Sequence, residues 1–430
     1  MADTTVEAAA FADINLTSGP YGPYWVSIST GALIFLDTTG NPNARKTTDG
    51  GATWGAAVEA AAEVVHHFSC VFDQEVLGNS GDKAHALWLA SDGNVRYAAY
   101  DISANAWSTP VTVQASVTPN VTSKSLNGLV ITLARSGRLV AAWHNGDGAV
   151  AGSAESTDGG AIWAAITSLF EASSGFDLAR HAYCNTGDDA DVAIIYHDIS
   201  ANELSIKVHD DSANTVTETS IATVITSEGS PPSQRSSIST ATRLSDGHVL
   251  LAAWSDHDGA SADLLSWDLL INSVTSPTIT AKANIITNTA EAVGSGILID
   301  QGTNHVYCAY LRGSLYGSLL SAFYKKSTDG MATWSSETAM QENVEDDLRW
   351  VSSGFASQLG GRFQPVWFND DLNVIYSNLT NDVELVAASG GKSGGGKGKG
   401  GQTPGPGQPP KKALRGTIAG GWRWEGRGWR

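Results

Sequence analysis

Short apolar segments that end in an aromatic residue recur along the chain: Leu33-Ile34-Phe35, Ala86-Leu87-Trp88, Ala141-Ala142-Trp143, Ile194-Ile195-Tyr196, Ala252-Ala253-Trp254, Cys308-Ala309-Tyr310 and Pro365-Val366-Trp367. The steps between the aromatics are 53, 55, 53, 58, 56 and 57 residues. Seven copies at a near-constant step mark a repeat architecture, with a period longer than that of helical solenoids. Within each unit the apolar runs are short, punctuated by Gly, Asp, Asn and Ser, and lack a sustained 3.6-residue period, which predicts antiparallel strands. In the third unit a strand over 128–134 turns at Arg135-Ser136-Gly137 into 138–143, a third strand follows near 150–154, and a fourth starts at Trp163. Four-stranded units repeated in this way predict an all-β propeller, an architecture that leaves only short, protected edges. Blades are expected to begin near residues 20, 64, 122, 177, 234, 290 and 347. Seven is the expected number; fusing the weak first and last units would give six.

Composition agrees with many strands and tight turns. The 430 residues are 42% apolar and only 16% charged, with 46 Gly and 14 Trp. No apolar run approaches the roughly 18 residues of a membrane span, so no membrane insertion is expected. The start, MADTTVEAAAFADI, lacks the basic head and apolar stretch of a secretory signal. Cys70, Cys184 and Cys308 lie far apart without a CxxC pair, which excludes a disulfide scaffold and a thiolate zinc site. No cofactor or metal is expected. The loop Asp256-His257-Asp258-Gly259 offers oxygen ligands but lacks the spacing and terminal Glu of an EF-hand, and reads as a solvated turn. His66-His67 cannot place two ligands on one strand face, because neighbours point to opposite sides.

Charge divides the chain. Of 26 basic and 44 acidic residues, nine and one fall beyond residue 388, leaving 17 and 43 in the body. An acidic body repels polyanions, which argues against nucleic acid as a partner. Residues 1–388 form the expected propeller. Residues 389–412, rich in Gly, Pro and Lys, have almost no apolar side chains and read as a flexible linker. Residues 413–430 carry Trp422, Arg423, Trp424 and Trp429, residue types enriched at binding hot spots. The segment reads as a docking peptide for a larger protein assembly; a frayed terminus is the alternative.

Three turns match position by position. Thr47-Thr48-Asp49-Gly50-Gly51-Ala52-Thr53-Trp54 aligns with Ser156-Thr157-Asp158-Gly159-Gly160-Ala161-Ile162-Trp163, and with Ser327-Thr328-Asp329-Gly330-Met331-Ala332-Thr333-Trp334, where Met331 replaces the second glycine. Asp101…Trp107 and Asp210…Asn214 are degenerate versions at the matching places of units two and four. The motif resembles the Asp box, or BNR repeat, of the sialidase superfamily of β-propellers. The chemistry is structural: Asp accepts turn N–H groups, Gly supplies positive φ, and Trp packs between sheets. The resemblance implies that these turns join third and fourth strands on the face away from the functional site, so their Asp residues receive no catalytic role.

The candidate site therefore lies at the opposite mouth of the channel. Loops after the repeated aromatics hold His144, His197, Asp256, His257 and Arg312, and Arg180, Arg235 and Arg349 stand near the starts of inner strands. Guanidinium forks suit carboxylates, so a mouth with several cations inside an acidic shell fits a small anion or acidic sugar. The resemblance also implies an arginine triad, a Tyr–Glu pair and an Asp acid/base in the family's enzymes, with a Phe/Tyr-Arg-Ile-Pro motif in the first blade. Here that region reads Gly22-Pro23-Tyr24-Trp25-Val26-Ser27-Ile28, without arginine. Tyr183 and Glu203 lie in the fourth unit without supporting spacing, so catalytic residues are unassigned. Two readings follow. In the first the chain is a non-catalytic recognition or structural module, similar to BNR-repeat appendages of phage virions, that binds a host surface glycan and is anchored by its tail at a virion or extracellular surface. In the second it is a sialidase-like exo-glycosidase acting on acidic glycans.

Overall fold

A computed structural model describes residues 4–8, 20–117, 128–144, 151–170, 176–198, 201, 203–223, 238–255, 262–289, 292–312, 321–340, 348–352, 355–356, 364–369 and 374–377. These residues form seven sheets, each built on four antiparallel strands, with the short strand Phe355–Ala356 added in parallel beside Tyr21–Trp25 in the first. The innermost strands are Tyr21–Trp25, Val65–Phe72, Leu129–Leu133, Phe176–Ala182, Ile238–Arg243, Ala292–Asp300 and Leu348–Ser352. Each touches the next, and the last touches the first, so the ring closes as a seven-bladed β-propeller. Among the described residues the helical content is one 3-10 turn, Asp73–Glu75.

Strands read as continuous apolar runs because both faces of every sheet are covered. Gly31–Leu36, Leu129–Leu133 and the first five residues of Leu139–His144 are buried without alternation. The core is therefore a set of seams between blades rather than one central mass. Between blades 1 and 2, Tyr24, Ile34 and Leu36 pack against Phe68, Phe72, Trp88 and Tyr100. Tyr24 stacks on Phe72 with ring centroids 5.1 Å apart. Alternation appears toward the outside of the blades, as in the outermost strand Val111–Gln114 and the third strand Val374–Ser377, where one face is less covered.

The seventh blade explains the weakness of its sequence signal. Its strands Leu348–Ser352, Val366–Asn369 and Val374–Ser377 are completed on the outside by Thr4–Glu7, with Thr4 opposite Ser377 and Thr5 opposite Tyr376. Val6 joins the seam formed by Leu33, Phe35, Val366, Phe368 and Ile375. Glu7 also accepts a hydrogen bond from Arg45 Nε of blade 1 at 2.7 Å. Blade 7 is thus assembled from the two distant parts of the chain, and the alternative of six blades is set aside.

Strand register fixes the two faces. In blade 3 His144 sits opposite Ala151 at one end, whereas Leu139 sits opposite Ser156 at the other. Leu129 opposite Trp143 puts the start of the inner strand beside His144. We call this end upper; the turns after Thr47, Ser156 and Ser327 are lower.

Those three turns share one hydrogen-bond pattern. Thr47, Ser156 and Ser327 each donate a hydroxyl proton to the Asp two residues on, at 2.9, 2.7 and 2.9 Å. Each hydroxyl also accepts the N–H of the residue four on, Gly51, Gly160 or Met331, at 2.9 Å. Asp49 and Asp329 accept both the N–H and the hydroxyl of Thr53 and Thr333, which hold these exposed carboxylates down at about 2. Trp163 Nε1 donates to the Gly160 carbonyl at 3.0 Å, and Trp334 Nε1 reaches the Ala283 carbonyl of blade 5 at 3.0 Å. Trp54 packs against the seam between blades 7 and 1.

Candidate channel site

Inner strands are lashed to one another through small polar side chains. Ser69 Oγ accepts the Ile131 N–H at 3.2 Å, Thr132 Oγ1 bonds His181 Nδ1, and Thr240 Oγ1 donates to the His181 carbonyl at 2.9 Å. Ser239 and Ser295 are 3.2 Å apart through their hydroxyls, and Ser352 Oγ donates to the Gly22 carbonyl at 2.6 Å. A girdle of this kind fixes the radius of the channel and the height of whatever side chains enter it.

Arg180 is the candidate residue that this scaffold carries to the upper end of the axis. Its Nε donates to the carbonyl of Ile238 at 3.1 Å, and one terminal nitrogen donates to the Tyr21 hydroxyl at 3.1 Å. Ile238 and Tyr21 are the first residues of the inner strands of blades 5 and 1, so the guanidinium from blade 4 sits at the upper level. It also lies over the Tyr21 ring, 5.3 Å from its centroid. Tyr21 is itself held by donating to the Phe68 carbonyl of blade 2 at 2.9 Å. No further hydrogen bond or ion pair joins Arg180 to the described residues, so the rest of its donor fork is unused there.

Below it stands a carboxyl that the sequence does not advertise. Glu75, in the 3-10 turn after the inner strand of blade 2, accepts the Phe72 N–H at 2.8 Å. Burial pushes its carboxyl up to about 7, while that hydrogen bond and the charge of Arg180 pull in the other direction. Burial also raises the Tyr24 phenol well above its ordinary value, with the charges of Cys70 and Glu75 adding to the effect. Glu75 of blade 2 is thus coupled electrostatically to Tyr24 of blade 1 and to Arg180 of blade 4. The only sequence hint was an acid inside the run Phe72-Asp73-Gln74-Glu75, which lies outside every repeat motif.

Other candidates fall in different places. His144 ends the second strand of blade 3 at the upper face and is half-buried. His197 is at the corresponding end in blade 4 but only 1% exposed, inside the blade rather than at the mouth. Arg349 is the second residue of the inner strand of blade 7, and Arg312 ends the second strand of blade 6 at the upper face. Arg235, Asp256 and His257 lie outside the described residues, as do Trp422, Arg423, Trp424 and Trp429. Burial pulls His67 down to about 4 and His181 to about 3, so both imidazoles are neutral at pH 7. Alternate side chains of an inner strand enter the seams between blades, where no water stabilises the charged form. Tyr183 follows the inner strand of blade 4 at its lower end, whereas Glu203 begins the third strand at the upper end; they do not form a pair.

The three buried cysteines are free. Among the described residues, no group of three or more His, Cys, Asp or Glu is arranged to hold a metal ion. No helix there is long and apolar enough to cross a membrane.

No protein-family model and no curated protein sequence matches the chain. Solved structures do. A polysaccharide lyase of family PL25, an ulvan lyase bound to -[GlcA(1-4)Rha3S]-, superposes with a TM-score of 0.53 at 11% identity, covering 88% of this chain and 94% of that one. A GH74 xyloglucanase from Xanthomonas campestris gives 0.49 at 13% identity over 88% of this chain and 54% of its own. A Hadza microbial sialidase gives 0.43 at 11% identity, over 81% and 74%. At 11% identity the likeness to the ulvan lyase shows the fold alone: the chain is a seven-bladed β-propeller.

Proposed function

We propose that the protein is a non-catalytic recognition module, a virion appendage whose propeller binds an acidic surface glycan at the upper end of the channel and whose tail fastens it to a larger assembly. The observation that carries the glycan reading is Arg180. Its guanidinium is oriented by Tyr21 and the Ile238 carbonyl, is partly desolvated, and keeps donors in reserve for a carboxylate. Glu75, largely neutral below pH 7, does not cancel that charge. The ulvan lyase, whose bound ligand contains glucuronic acid, adds a fold-level analogy. The Asp-box reading of the lower turns gives them a structural role, with the hydrogen bonds described above spent on the turn itself.

An exo-glycosidase of sialidase type is the second reading, suggested by the proximity of Tyr24 and Glu75. Burial works against it, because a phenol raised well above its ordinary value is a poor nucleophile without a base to take its proton. Calorimetric titration with uronic-acid and sialic-acid oligosaccharides tests the proposal. Arg180→Ala should weaken binding about tenfold or more, with no turnover by the wild type. Hydrolysis of fluorogenic sialosides that vanishes in Arg180→Ala or Arg235→Ala would establish the enzyme instead. For the tail, truncation after Ala388 should leave the propeller folded but unable to co-purify with its assembly; retained attachment would refute docking through Trp422, Arg423, Trp424 and Trp429.

A further inference from the structure

On the same upper face, away from the axis, a cleft of about 440 Å³ opens where blades 1 and 2 meet. Its walls are Thr39 and Asn41 from the turn between the second and third strands of blade 1, Ala62 to Val64 from the link between blades, and Ala90 to Asp92 from the corresponding turn of blade 2. The walls are tied together by backbone: the Val65 N–H donates to the Gly40 carbonyl at 3.1 Å and the Ser91 N–H to the Val64 carbonyl at 2.8 Å. Volume and framing fall in the range of small-ligand sites, roughly 300–1,000 Å³.

The chemistry inside is mixed and fixed. Glu63 accepts Trp88 Nε1 at 2.6 Å on one oxygen and Arg96 on the other, and Arg96 reaches Asp92 with its second terminal nitrogen. One guanidinium thus holds two carboxylates in set orientations, each with lone pairs left over. Asn41 donates its amide to Glu59 at 2.9 Å, which leaves its Oδ1 without a hydrogen bond among the described residues. Ser91 Oγ is likewise unused there. Against these acceptors stands Val64, 45% exposed and one of only three large apolar side chains that exposed among the described residues. An apolar patch facing preorganised acceptors is what the two sides of a pyranose require: C–H groups on one, hydroxyls on the other.

We infer that this cleft is a second saccharide site, for a sugar unit that carries no acid group. Charge sets the class. Glu63 and Asp92 outnumber Arg96, and Asp37 and Glu59 stand behind Thr39 and Asn41, so the cleft repels the carboxylate or sulfate that Arg180 attracts. The inference does not depend on the channel reading. Together the two sites would sort one branched or mixed glycan into an acidic unit at the axis and a neutral one at the rim.

Saturation-transfer NMR with methyl glucoside, galactoside, mannoside and fucoside, with sialic acid alongside, tests it on the full chain. A neutral pyranoside should bind saturably in about the millimolar range, as expected for so few heavy atoms. Ser91→Trp and Val64→Asp, both at exposed positions, should weaken that binding about tenfold or more while the unfolding midpoint stays put. Arg180→Ala should leave it unchanged. The cleft is refuted if no neutral pyranoside binds, or if binding survives both cleft variants. Loss in Arg180→Ala alone would move the neutral sugar to the axis and equally refute it. Failure of acidic glycans to bind, with neutral binding intact, would refute the channel reading and leave this one standing.

Discussion

Met331 shows how a single side chain answers to its neighbour. Its counterparts Gly51 and Gly160 have no room for a Cβ, which would fall 2.0 Å from the Gln364 side chain and 1.9 Å from the Tyr97 ring. In blade 6 the chain places Met331 there instead, at φ 67° and fully buried in the seam with blade 5. The departure from the motif is a plug where the other two blades receive one from next door. Met331→Ala should therefore cost about 2–4 kcal/mol in chemical denaturation. Gly160→Ala should cost more than about 1 kcal/mol, through strain at φ 93° and displacement of Tyr97. Glu75 makes a prediction in pH. Below about 4.5 the folded and unfolded states both hold its proton. Between about 4.5 and about 7 only the folded state does, so its contribution to stability falls across that window by up to about 3 kcal/mol. His67 works oppositely, losing stability as pH falls from 6.5 toward about 4. Glu75→Gln should match wild type near pH 4, exceed it at pH 8 in thermal unfolding, and unmask the histidine slope. Acidic-glycan affinity should likewise decline above pH 7 in wild type and hold in the variant, as read by titration at pH 6 and 8.

Among the elements, second strands were the most legible. Each carries a bulky aromatic within two residues of its end, so apolar content and repeat step announce it without alternation. The lower turns were legible for a different reason, because a hydroxyl, a carboxylate and a glycine must stand at fixed offsets to close them. Ser156→Ala removes the acceptor of the buried Gly160 N–H and should cost about 1–3 kcal/mol, measured by denaturant titration. Site residues were legible only in part. Arg180 stood out as a cation near the start of an inner strand, but nothing in its surroundings announced Tyr21, 159 positions away, as its support. Glu75 occupies a connection between first and second strands that no repeat marks. The burial of His67 and His181 was not legible, because strand direction alone does not say whether a side chain enters the channel or a seam.

The whole molecule depends on the seam between blades 7 and 1. Thr4–Glu7 could not be placed from the sequence, since its partner Val374–Ser377 lies some 370 residues away and four residues carry too little pattern. Removing residues 1–8 should expose the edge of blade 7, uncover Leu33 and Phe35, and lower the unfolding midpoint by more than Arg45→Ala, which loses the tie to Glu7 and a hydrogen bond to the Gly55 carbonyl. Closure of this kind also has a meaning for synthesis. Once synthesised, Thr4–Glu7 must wait unpaired until Val374–Ser377 emerges, because long-range pairing cannot form before both partners exist. Nascent chains arrested before residue 374 should remain open to protease around Thr4–Glu7, whereas those that include Val374–Ser377 should resist. A premature stop anywhere in the last blade would thus spoil the beginning of the protein along with its end.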